Sequence, residues 1–389
     1  MYNFDNPPSR NGSNAEKYTA RSRLFGRQDV LPFWVADMEF ATAPSVLDAL
    51  AARMAHPVYG YTSVPKSLPV TISAWNSKRH GISFAPESLT LVTGVMSAVL
   101  ATLSILSAPG DGIVVQTPLY PALMQTVLGN HRLLLENQLT LSDGRYRMNF
   151  IELERMFTLH QPKVFLLCSP HNPVGRVWER DEIDYLVKLT SHYGVYLVSD
   201  EIHADIVFSP HRHISALSYA KEHGSRIMML NSASKSFNIA GLNTAYAVIP
   251  DQTLRKMFRR QLQRMNLYGV NIFGMTALEA AYSGGEEWLE ALMDYLSANR
   301  KYMRDRLTRE LPDLDHYSPD GTYLYWLDFN SLGLSPAEIR MKLIDEAGVG
   351  LNDGITFSQS HAGFWRFNFA VPRSMLTEGL GRIIEAFGK

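Results

Sequence analysis

The chain has 389 residues, with 37 basic and 38 acidic side chains and a formal net charge of -1. Hydrophobic residues make up 46% of it and charged residues 19%. These values are ordinary for a folded protein with a large core, and they exclude disordered and low-complexity classes. The balanced charge argues against a nucleic-acid partner, because phosphate binding needs a surplus of Lys and Arg.

Cysteine usage and hydropathy limit the protein further. Cys168 is the only cysteine, so an intrachain disulfide and a multi-cysteine metal site are excluded, and we expect no metal. The uncharged stretch 88–110 is diluted by Ser and Thr and interrupted by Gly94 and Pro109, which favours a buried strand and helix over a membrane span. We expect a cytoplasmic protein without a membrane partner.

The first 45 residues are irregular and rich in Pro, Asn and aromatic residues, and we expect this segment to pack on a small C-terminal domain. Residues 46–285 then alternate apolar runs with helical patterns such as 95–107 and 179–193. This alternation predicts an α/β fold with a mostly parallel sheet. The predicted strands of this large domain are 89–92, 112–116, 163–167, 195–199, 226–230 and 244–249.

After residue 285 the pattern changes to a smaller α+β domain, 286–389. Its helical patterns cover 286–310, 335–346 and 374–387, and its predicted strands are 321–329 and 364–369.

Polar side chains follow the predicted strands of the large domain at the points where they end. Because ligands bind beyond the carboxyl ends of strands in open α/β sheets, we expect these residues to form one site. Lys235 lies among serines after one predicted strand, and Asp200 directly follows another. A strand-end lysine can form a Schiff base with an aldehyde cofactor such as pyridoxal phosphate, and a carboxylate can keep its pyridine nitrogen protonated. Taken singly, a solvated lysine and a capping aspartate remain open alternatives.

The same cofactor needs a phosphate site and contacts to its ring. The start of a helix at Gly94, Val95 and Met96 offers backbone N–H groups, and Ser232 and Ser234 offer hydroxyls. The remaining candidates are Tyr120 for stacking on the ring, Asn172 for its hydroxyl, and Arg366 for a substrate carboxylate. Their ordinary alternatives are, in the same order, a packed ring, a turn residue and an internal salt bridge.

Three competing motifs are incomplete. Ser232-Ala-Ser-Lys235 matches the Ser-x-x-Lys of penicillin-binding enzymes, but the partner motifs are absent. His203, His211 and His213 lack a convincing further metal ligand. The glycines of 269–274 have P-loop spacing but are followed by Met-Thr, not by Lys-Ser or Lys-Thr.

Five segments together resemble one enzyme family, in the family's order and over nearly the whole chain. The segments are Trp34-Val-Ala-Asp-Met-Glu-Phe40, Gly60-Tyr-Thr62, Pro170-His-Asn-Pro-Val-Gly-Arg-Val-Trp178, Ser199-Asp-Glu-Ile-His203 and Ser234-Lys-Ser-Phe-Asn-Ile-Ala-Gly-Leu242. The chain resembles the fold-type I pyridoxal-phosphate enzymes of the aminotransferase class I/II superfamily. More narrowly, it resembles the bacterial C–S lyases, which are cystathionine β-lyases of the MalY/PatB type. The resemblance implies the aspartate-aminotransferase-like fold.

The resemblance also implies roles for individual residues. Lys235 is the Schiff-base lysine and catalytic base, Asp200 pairs with the pyridine nitrogen, and Tyr120 stacks on the ring with a catalytic role. The remaining cofactor contacts that it implies are Asn172, His203, Gly94, Val95, Met96, Ser232 and Ser234, joined by Tyr61 from the other subunit of a homodimer. The substrate contacts are Arg366, Ala36 and Asn172.

The implied reaction is an α,β-elimination on a sulfur amino acid such as cystathionine, giving a thiol (homocysteine), pyruvate and ammonia. An aminotransferase shares every step up to removal of the Cα proton and stays the alternative, because fold alone does not determine the reaction. A third class is a regulatory protein that keeps the cofactor but acts by binding a partner. The presence of Lys235, Asp200 and Arg366 argues against a purely non-catalytic role.

Overall fold

The computed structural model describes residues 2–222 and 226–388. No helix in these two ranges is long and apolar enough to cross a bilayer. The α-helices are α1 Glu16–Thr19, α2 Arg21–Phe25, α3 Pro44–Ala55, α4 Ser67–His80, α5 Val95–Leu106, α6 Pro121–Gly129, α7 Phe150–His160, α8 Arg180–His192, α9 Gln252–Arg264, α10 Ile272–Gly284, α11 Glu286–Glu310, α12 Pro336–Met341 and α13 Arg373–Phe387.

The strands belong to one large sheet, one smaller sheet and two short pairs. They are β1 Leu31–Pro32, β2 Leu89–Val92, β3 Gly112–Thr117, β4 Leu133–Gln138, β5 Thr140–Ser142, β6 Arg145–Arg147, β7 Val164–Cys168, β8 Tyr196–Asp200, β9 Ile227–Asn231, β10 Ala245–Val248, β11 Asp315–Tyr317, β12 Leu324–Asp328, β13 Val349–Gly350, β14 Asn352–Asp353 and β15 Phe364–Asn368.

The large sheet has seven strands in the order β2-β10-β9-β8-β7-β3-β4. Strands β3, β4, β7, β8 and β9 are parallel, whereas β10 runs antiparallel to both neighbours. The predicted α/β fold with a mostly parallel sheet is confirmed. All six predicted strands are present, with bounds that differ by at most one residue. The sequence analysis missed β4, because this edge strand leaves alternate side chains exposed and carries a polar second half.

Helices cover both faces of the large sheet. On β3, Ile113 and Val115 pack into a cluster with residues of α5, α6 and α9, whereas Val114 packs into a second cluster with α7 and α8. Because both faces are covered, apolar side chains are needed at most positions of the central strands. This requirement explains the continuous apolar runs in the sequence.

The C-terminal part has a four-stranded antiparallel sheet in the order β11-β12-β15-β14. The predicted strand 321–329 begins only at Leu324, because Gly321 bridges to Val207 and Thr322 has a φ of 70°. The predicted helix 335–346 divides into α12 and the π-helical turn Lys342–Glu346.

The N-terminal segment is more ordered than expected, because it contains α1, α2 and β1. Strand β1 pairs in parallel with β13, and Phe33 stacks on Phe367 with ring centroids 4.3 Å apart. We propose a division of the chain into an N-terminal segment, 1–45, a large domain, 46–285, and a small domain, 286–389. This division keeps the large sheet within one domain and the smaller sheet within the other. Its first boundary lies inside α3, which begins at Pro44.

Residues 33–40, which we call the strap, follow β1 and run between the two sheets. The strap is not part of a strand, and only its ends are hydrogen-bonded to other backbone, through Phe33 and Glu39. Several backbone groups between these ends are paired by side chains instead. Asn368 of β15 donates its side-chain amide to the carbonyls of Val35, at 2.5 Å, and Asp37, at 2.6 Å. Its own side-chain oxygen accepts from Ala370 N. The fully buried Asn368 therefore connects the strap to the smaller sheet.

The far end of the strap is held from the large domain and from α1. Asn238 accepts from Met38 N and donates to the carbonyls of Met38 and Phe40. Lys17, which is completely buried, forms an ion pair with Glu39 at 2.7 Å. The strap is therefore fixed by parts of the chain that are distant in sequence.

Replacing Asn368 by Ala removes the donor to two strap carbonyls. We expect the free energy of unfolding to fall on the order of 3 kcal/mol, because buried carbonyls lose their hydrogen bonds. Urea denaturation followed by tryptophan fluorescence measures this change. The exposed Asn11→Ala serves as the matched control, and identical urea midpoints for the two variants would show that Asn368 does not hold the strap.

Candidate active site

The predicted site residues meet at the carboxyl edge of the large sheet. Asp200 ends β8, Asn172 follows β7, and Lys235 follows β9. These strands are parallel neighbours, so their ends lie side by side. Arg366 of β15 and the strap complete the site from the other sheet.

Lys235 lies in the turn after β9, and its side chain is partly buried. Its Nζ donates to the carbonyl of Ala36 at 2.7 Å. Burial, reinforced by the positive charge of Arg366, lowers the pKa of Lys235 to about 8, while Asp37 and Asp200 act in the opposite direction. The amine is therefore less basic than an exposed lysine and close to its titration range at neutral pH.

Asp200 is a buried carboxyl group at the end of its strand. One of its oxygens accepts from Ile202 N at 3.2 Å. Burial raises the pKa of Asp200 to about 7, although Lys235 and the bond from Ile202 oppose that rise. A cationic group placed beside it would restore its ionised form.

His203 is buried, and its Nδ1 has no hydrogen-bond partner in the described part of the chain. Burial and the nearby positive charges of Lys235 and Arg366 hold the pKa of His203 well below its usual value, so the ring is neutral. A buried polar atom without a partner is uncommon in folded proteins. It fits a site that takes a polar ligand.

Arg366 is buried, and neutral oxygens are the acceptors for its hydrogen bonds. Its guanidinium donates to Asn172 Oδ1 at 2.9 Å, to the carbonyl of Trp34 at 2.7 Å and to Asn352 Oδ1 at 2.6 Å. Its Nε has no partner within residues 2–222 and 226–388. Burial lowers the pKa of Arg366 to about 10. A desolvated guanidinium with neutral acceptors favours an anionic ligand such as a carboxylate.

Tyr120 precedes α6 and is more exposed than the other large side chains of the site. Burial raises the pKa of its hydroxyl, with Arg366 opposing and Asp200 adding to the rise. Tyr120 therefore lies within electrostatic reach of Arg366 and Asp200. Its hydroxyl stays protonated at neutral pH.

The predicted phosphate site includes the first turn of α5. Gly94 is the N-cap of this helix, and Val95 and Met96 are its first residues. A side chain built on Gly94 would meet no atom within 4 Å. The helix therefore begins at open space, where its free N–H groups and positive dipole end favour an anion.

The two predicted serines have different hydrogen bonds. Ser232 donates its hydroxyl hydrogen to the carbonyl of Thr244 at 2.7 Å and accepts from Ser234 N at 3.0 Å. Its hydroxyl therefore holds the turn that carries Lys235. The phosphate contacts of Ser232 and Ser234 stay predictions.

Tyr61 is fully exposed and lines a surface groove of about 950 Å³ together with Tyr59 and Tyr268. No described contact joins Tyr61 to Lys235 within this chain. A role for it at the site requires a second subunit, as the sequence resemblance implies.

A layer of polar residues lies behind the turn of Lys235. The neighbouring Ser236 donates to Asp205 at 2.9 Å, and Asp205 also contacts His80 and Trp75. The hydrogen bonds from His80 and Ser236, with the positive charge of Arg79, keep the pKa of Asp205 below its usual value despite its burial. The ionised Asp205 thereby holds Ser236, and with it the turn that carries Lys235.

Sequence reasoning missed Tyr323, whose hydroxyl donates to the carbonyl of Ala36 at 2.9 Å. It also gave no role to Asn352 and Asn368. The apolar pattern around Tyr323 is typical of a core strand, so the sequence carried no signal for a functional tyrosine. The segment 34–40 was noted, but its contacts depend on the fold.

The histidines of the competing metal motif do not converge. His213 pairs with Glu201 at 2.8 Å, whereas His211 pairs with Asp320 at 3.0 Å. Among the described residues, no group of three or more His, Cys, Asp and Glu side chains could hold a metal ion.

The residues present fit pyridoxal phosphate. A primary amine of lowered pKa, a buried carboxyl group of raised pKa and a neutral histidine with an unpaired nitrogen lie at one sheet edge. These groups match an aldehyde, a pyridine nitrogen and a ring oxygen, and the open helix start matches a phosphate.

Comparisons with known proteins identify the family of this chain. The family described as "Aminotransferase class I and II" matches residues 28–383. The chain is 38% identical over 381 residues to cystathionine beta-lyase PatB of Bacillus subtilis, covering 98% of each protein. It is 33% identical over 388 residues to protein MalY of Escherichia coli, covering 99% of each. The PLP-bound C–S lyase structure from Staphylococcus hominis superposes with a TM-score of 0.93 at 31% identity, covering 100% of this chain and 99% of that one. The chain therefore belongs to the class I and II aminotransferase family.

Proposed function

We propose that this protein is a pyridoxal-phosphate-dependent C–S β-lyase. It cleaves cystathionine or a related cysteine S-conjugate, with water, to a thiol, pyruvate and ammonia; the thiol from cystathionine is homocysteine. The observation that carries the proposal is the buried Arg366 with neutral acceptors, next to a lysine amine of lowered pKa. The names of the similar proteins PatB and the C–S lyase support the same reaction.

Pyridoxal phosphate supplies an electron sink for the pair left at the substrate Cα. We propose that three residues would hold its ring. Lys235 would form the covalent bond to the aldehyde carbon, Asp200 would pair with the pyridine nitrogen, and Tyr120 would stack on the face of the ring. The further contacts that we propose are Asn172, His203, Gly94, Val95, Met96, Ser232 and Ser234.

Arg366 binds the substrate carboxylate in this proposal. Its charge is desolvated and its acceptors are neutral oxygens, so an incoming carboxylate provides the first opposite charge in direct contact. Asn172 accepts from Arg366, and in this proposal Asn172 and Ala36 also contact the substrate. Binding at this point orients the substrate Cα towards Lys235.

Lys235 then acts as the general base. With a pKa of about 8, the free amine accepts the Cα proton at neutral pH more readily than an exposed lysine, which stays charged. The same amine can later deliver that proton. Elimination follows when the sulfur leaves from Cβ, whereas an aminotransferase would leave that C–S bond intact.

We also propose a homodimer and a cytoplasmic location. Tyr59, Tyr61 and Tyr268 form an exposed aromatic surface around the groove, which a second copy of the chain would cover. In such a dimer Tyr61 would reach the phosphate site of the other copy. Sedimentation of the purified protein at micromolar concentration tests the proposed dimer, and a monomer that retains full activity would contradict it.

The proposed cytoplasmic location agrees with the cysteine content, because the single buried Cys168 suits a reducing compartment.

Mixing the purified protein with cystathionine, without a keto acid, tests the proposed reaction. We expect pyruvate and free thiol in equal amounts over many turnovers, because elimination regenerates the cofactor. Lys235→Ala is the inactive comparison, and the exposed Lys256→Ala is its matched control. Turnover that requires a keto acid would instead identify an aminotransferase.

Replacing Arg366 by Met removes the charge that binds the substrate carboxylate. We expect KM for cystathionine to rise about 100-fold, because a buried charge-assisted pair is worth roughly 3 kcal/mol. Steady-state kinetics measures the change, with Arg260→Met on the exposed side of α9 as control. An unchanged KM would remove Arg366 from the substrate site.

The raised pKa of Asp200 makes the stability of the cofactor-free protein depend on pH. The folded state binds more protons than the unfolded state between pH 4 and 7, so the free energy of unfolding falls as pH rises through this window. We expect Asp200→Asn to be more stable than wild type at pH 8, by on the order of 3 kcal/mol, and equal to it near pH 4.

Urea denaturation of the cofactor-free proteins at both pH values measures this difference. The exposed Asp48→Asn on α3 is the matched control for the loss of one carboxyl group. An Asp200→Asn variant that is less stable than wild type at pH 8 would contradict the cause given for the pKa shift.

A further inference from the structure

The carbonyl of Ala36 is the meeting point of three parts of the chain. It accepts from Lys235 Nζ at 2.7 Å and from the Tyr323 hydroxyl at 2.9 Å. A carbonyl oxygen has two lone pairs, and both are therefore used. The position of the lysine amine and the position of the tyrosine hydroxyl depend on one acceptor.

That acceptor cannot shift independently of its neighbours. Asn368 holds the carbonyls of Val35 and Asp37 on either side of it, and Arg366 holds the carbonyl of Trp34. The Ala36 carbonyl is therefore a fixed point in the strap.

Tyr323 is fixed with similar precision. It is completely buried, and its own carbonyl accepts from Phe369 N at 3.0 Å. Thr322 before it has a φ of 70° and donates its N–H to the carbonyl of Ile206 at 2.8 Å. A β-branched residue in the left-handed region is strained, and such strain persists where the surrounding structure enforces it, often at functional sites.

The Tyr323 hydroxyl acts only as a donor at this point. Burial, with the negative charge of Asp37, raises the pKa of Tyr323 far above its ordinary value, and Arg366 only partly opposes this. The phenol therefore keeps its proton at neutral pH. Lys235 itself faces Arg366, Asp37 and Asp200, and its charge also acts on His203.

We propose that Tyr323 is a positioning residue for Lys235: its hydroxyl fixes the Ala36 carbonyl, which holds the lysine amine whenever that amine is not bonded to the cofactor. This inference rests on the proposed function, in which the free amine moves the Cα proton. The carbonyl gives the amine one preferred direction. The amine then returns to the same place after each turnover.

A purely structural role for the Tyr323 hydroxyl predicts something different. In that case removal of the hydroxyl would lower stability and leave the chemistry of Lys235 unchanged. The two roles are separated by measurements on the lysine itself, made without the cofactor.

Tyr323→Phe removes the hydroxyl and keeps the ring. Tyr325→Phe is the matched control, because Tyr325 lies two residues away and its hydroxyl contacts His316 at 3.0 Å, away from the strap. In the cofactor-free protein, trace acetylation of Lys235 as a function of pH, quantified by mass spectrometry, gives the pKa of the amine. We expect Tyr323→Phe to raise it by roughly half a unit or more, because the Ala36 carbonyl then accepts more strongly from the ammonium group. We expect no change in Tyr325→Phe.

The cofactor-loaded variants give the second measurement. For Tyr323→Phe we expect kcat for elimination to fall on the order of tenfold, with KM within about twofold of wild type, because substrate binding by Arg366 is intact. The kinetic isotope effect with substrate deuterated at Cα should increase. A Tyr323→Phe variant with the Lys235 pKa, kcat and isotope effect of Tyr325→Phe would overturn the proposal. If wild type catalyses no elimination, the proposed function fails, whereas the acetylation measurement still decides the role of Tyr323.

Discussion

The hydrogen bonding of the strap is the constraint on which the rest of the site depends. Residues 33–40 cross between two sheets without a strand partner, and buried carbonyls cannot be left unpaired. Asn368 satisfies two of them from the smaller sheet and Asn238 two from the large domain. The strap can take this course only when both sheets are in place. Its geometry thereby sets the distance between Arg366 and Lys235, which both bind it.

Burial determines the electrostatics of the site. It lowers the pKa of Lys235 and Arg366 and raises that of Asp200, so each group is shifted away from its usual charged form. A cofactor that carries an aldehyde and a cationic ring nitrogen, together with a substrate that carries a carboxylate, offers a partner to each of them. The protein thus holds its functional groups in an environment that the ligand completes, as expected for a preorganised enzyme site.

Much of the fold followed from elementary patterns. Strands covered on both faces are mostly apolar, so six strands of the large sheet were evident, and the residues that end or follow them indicated Asp200, Asn172 and Lys235. The edge strand β4 was missed because one side of it faces solvent. The N-terminal segment was expected to be irregular, because α1 and α2 are too short to show a helical period.

The sequence by itself determined the layered α/β fold, the family and the residues whose chemistry suits pyridoxal phosphate, because these depend on local patterns and residue types. Only the tertiary structure decided that Ala36, Lys235 and Tyr323 share one carbonyl, and that Arg366 has neutral acceptors. These contacts join residues about 200 to 300 positions apart. No local pattern specifies such pairs, since they result from the packing of two sheets and a strap against one another.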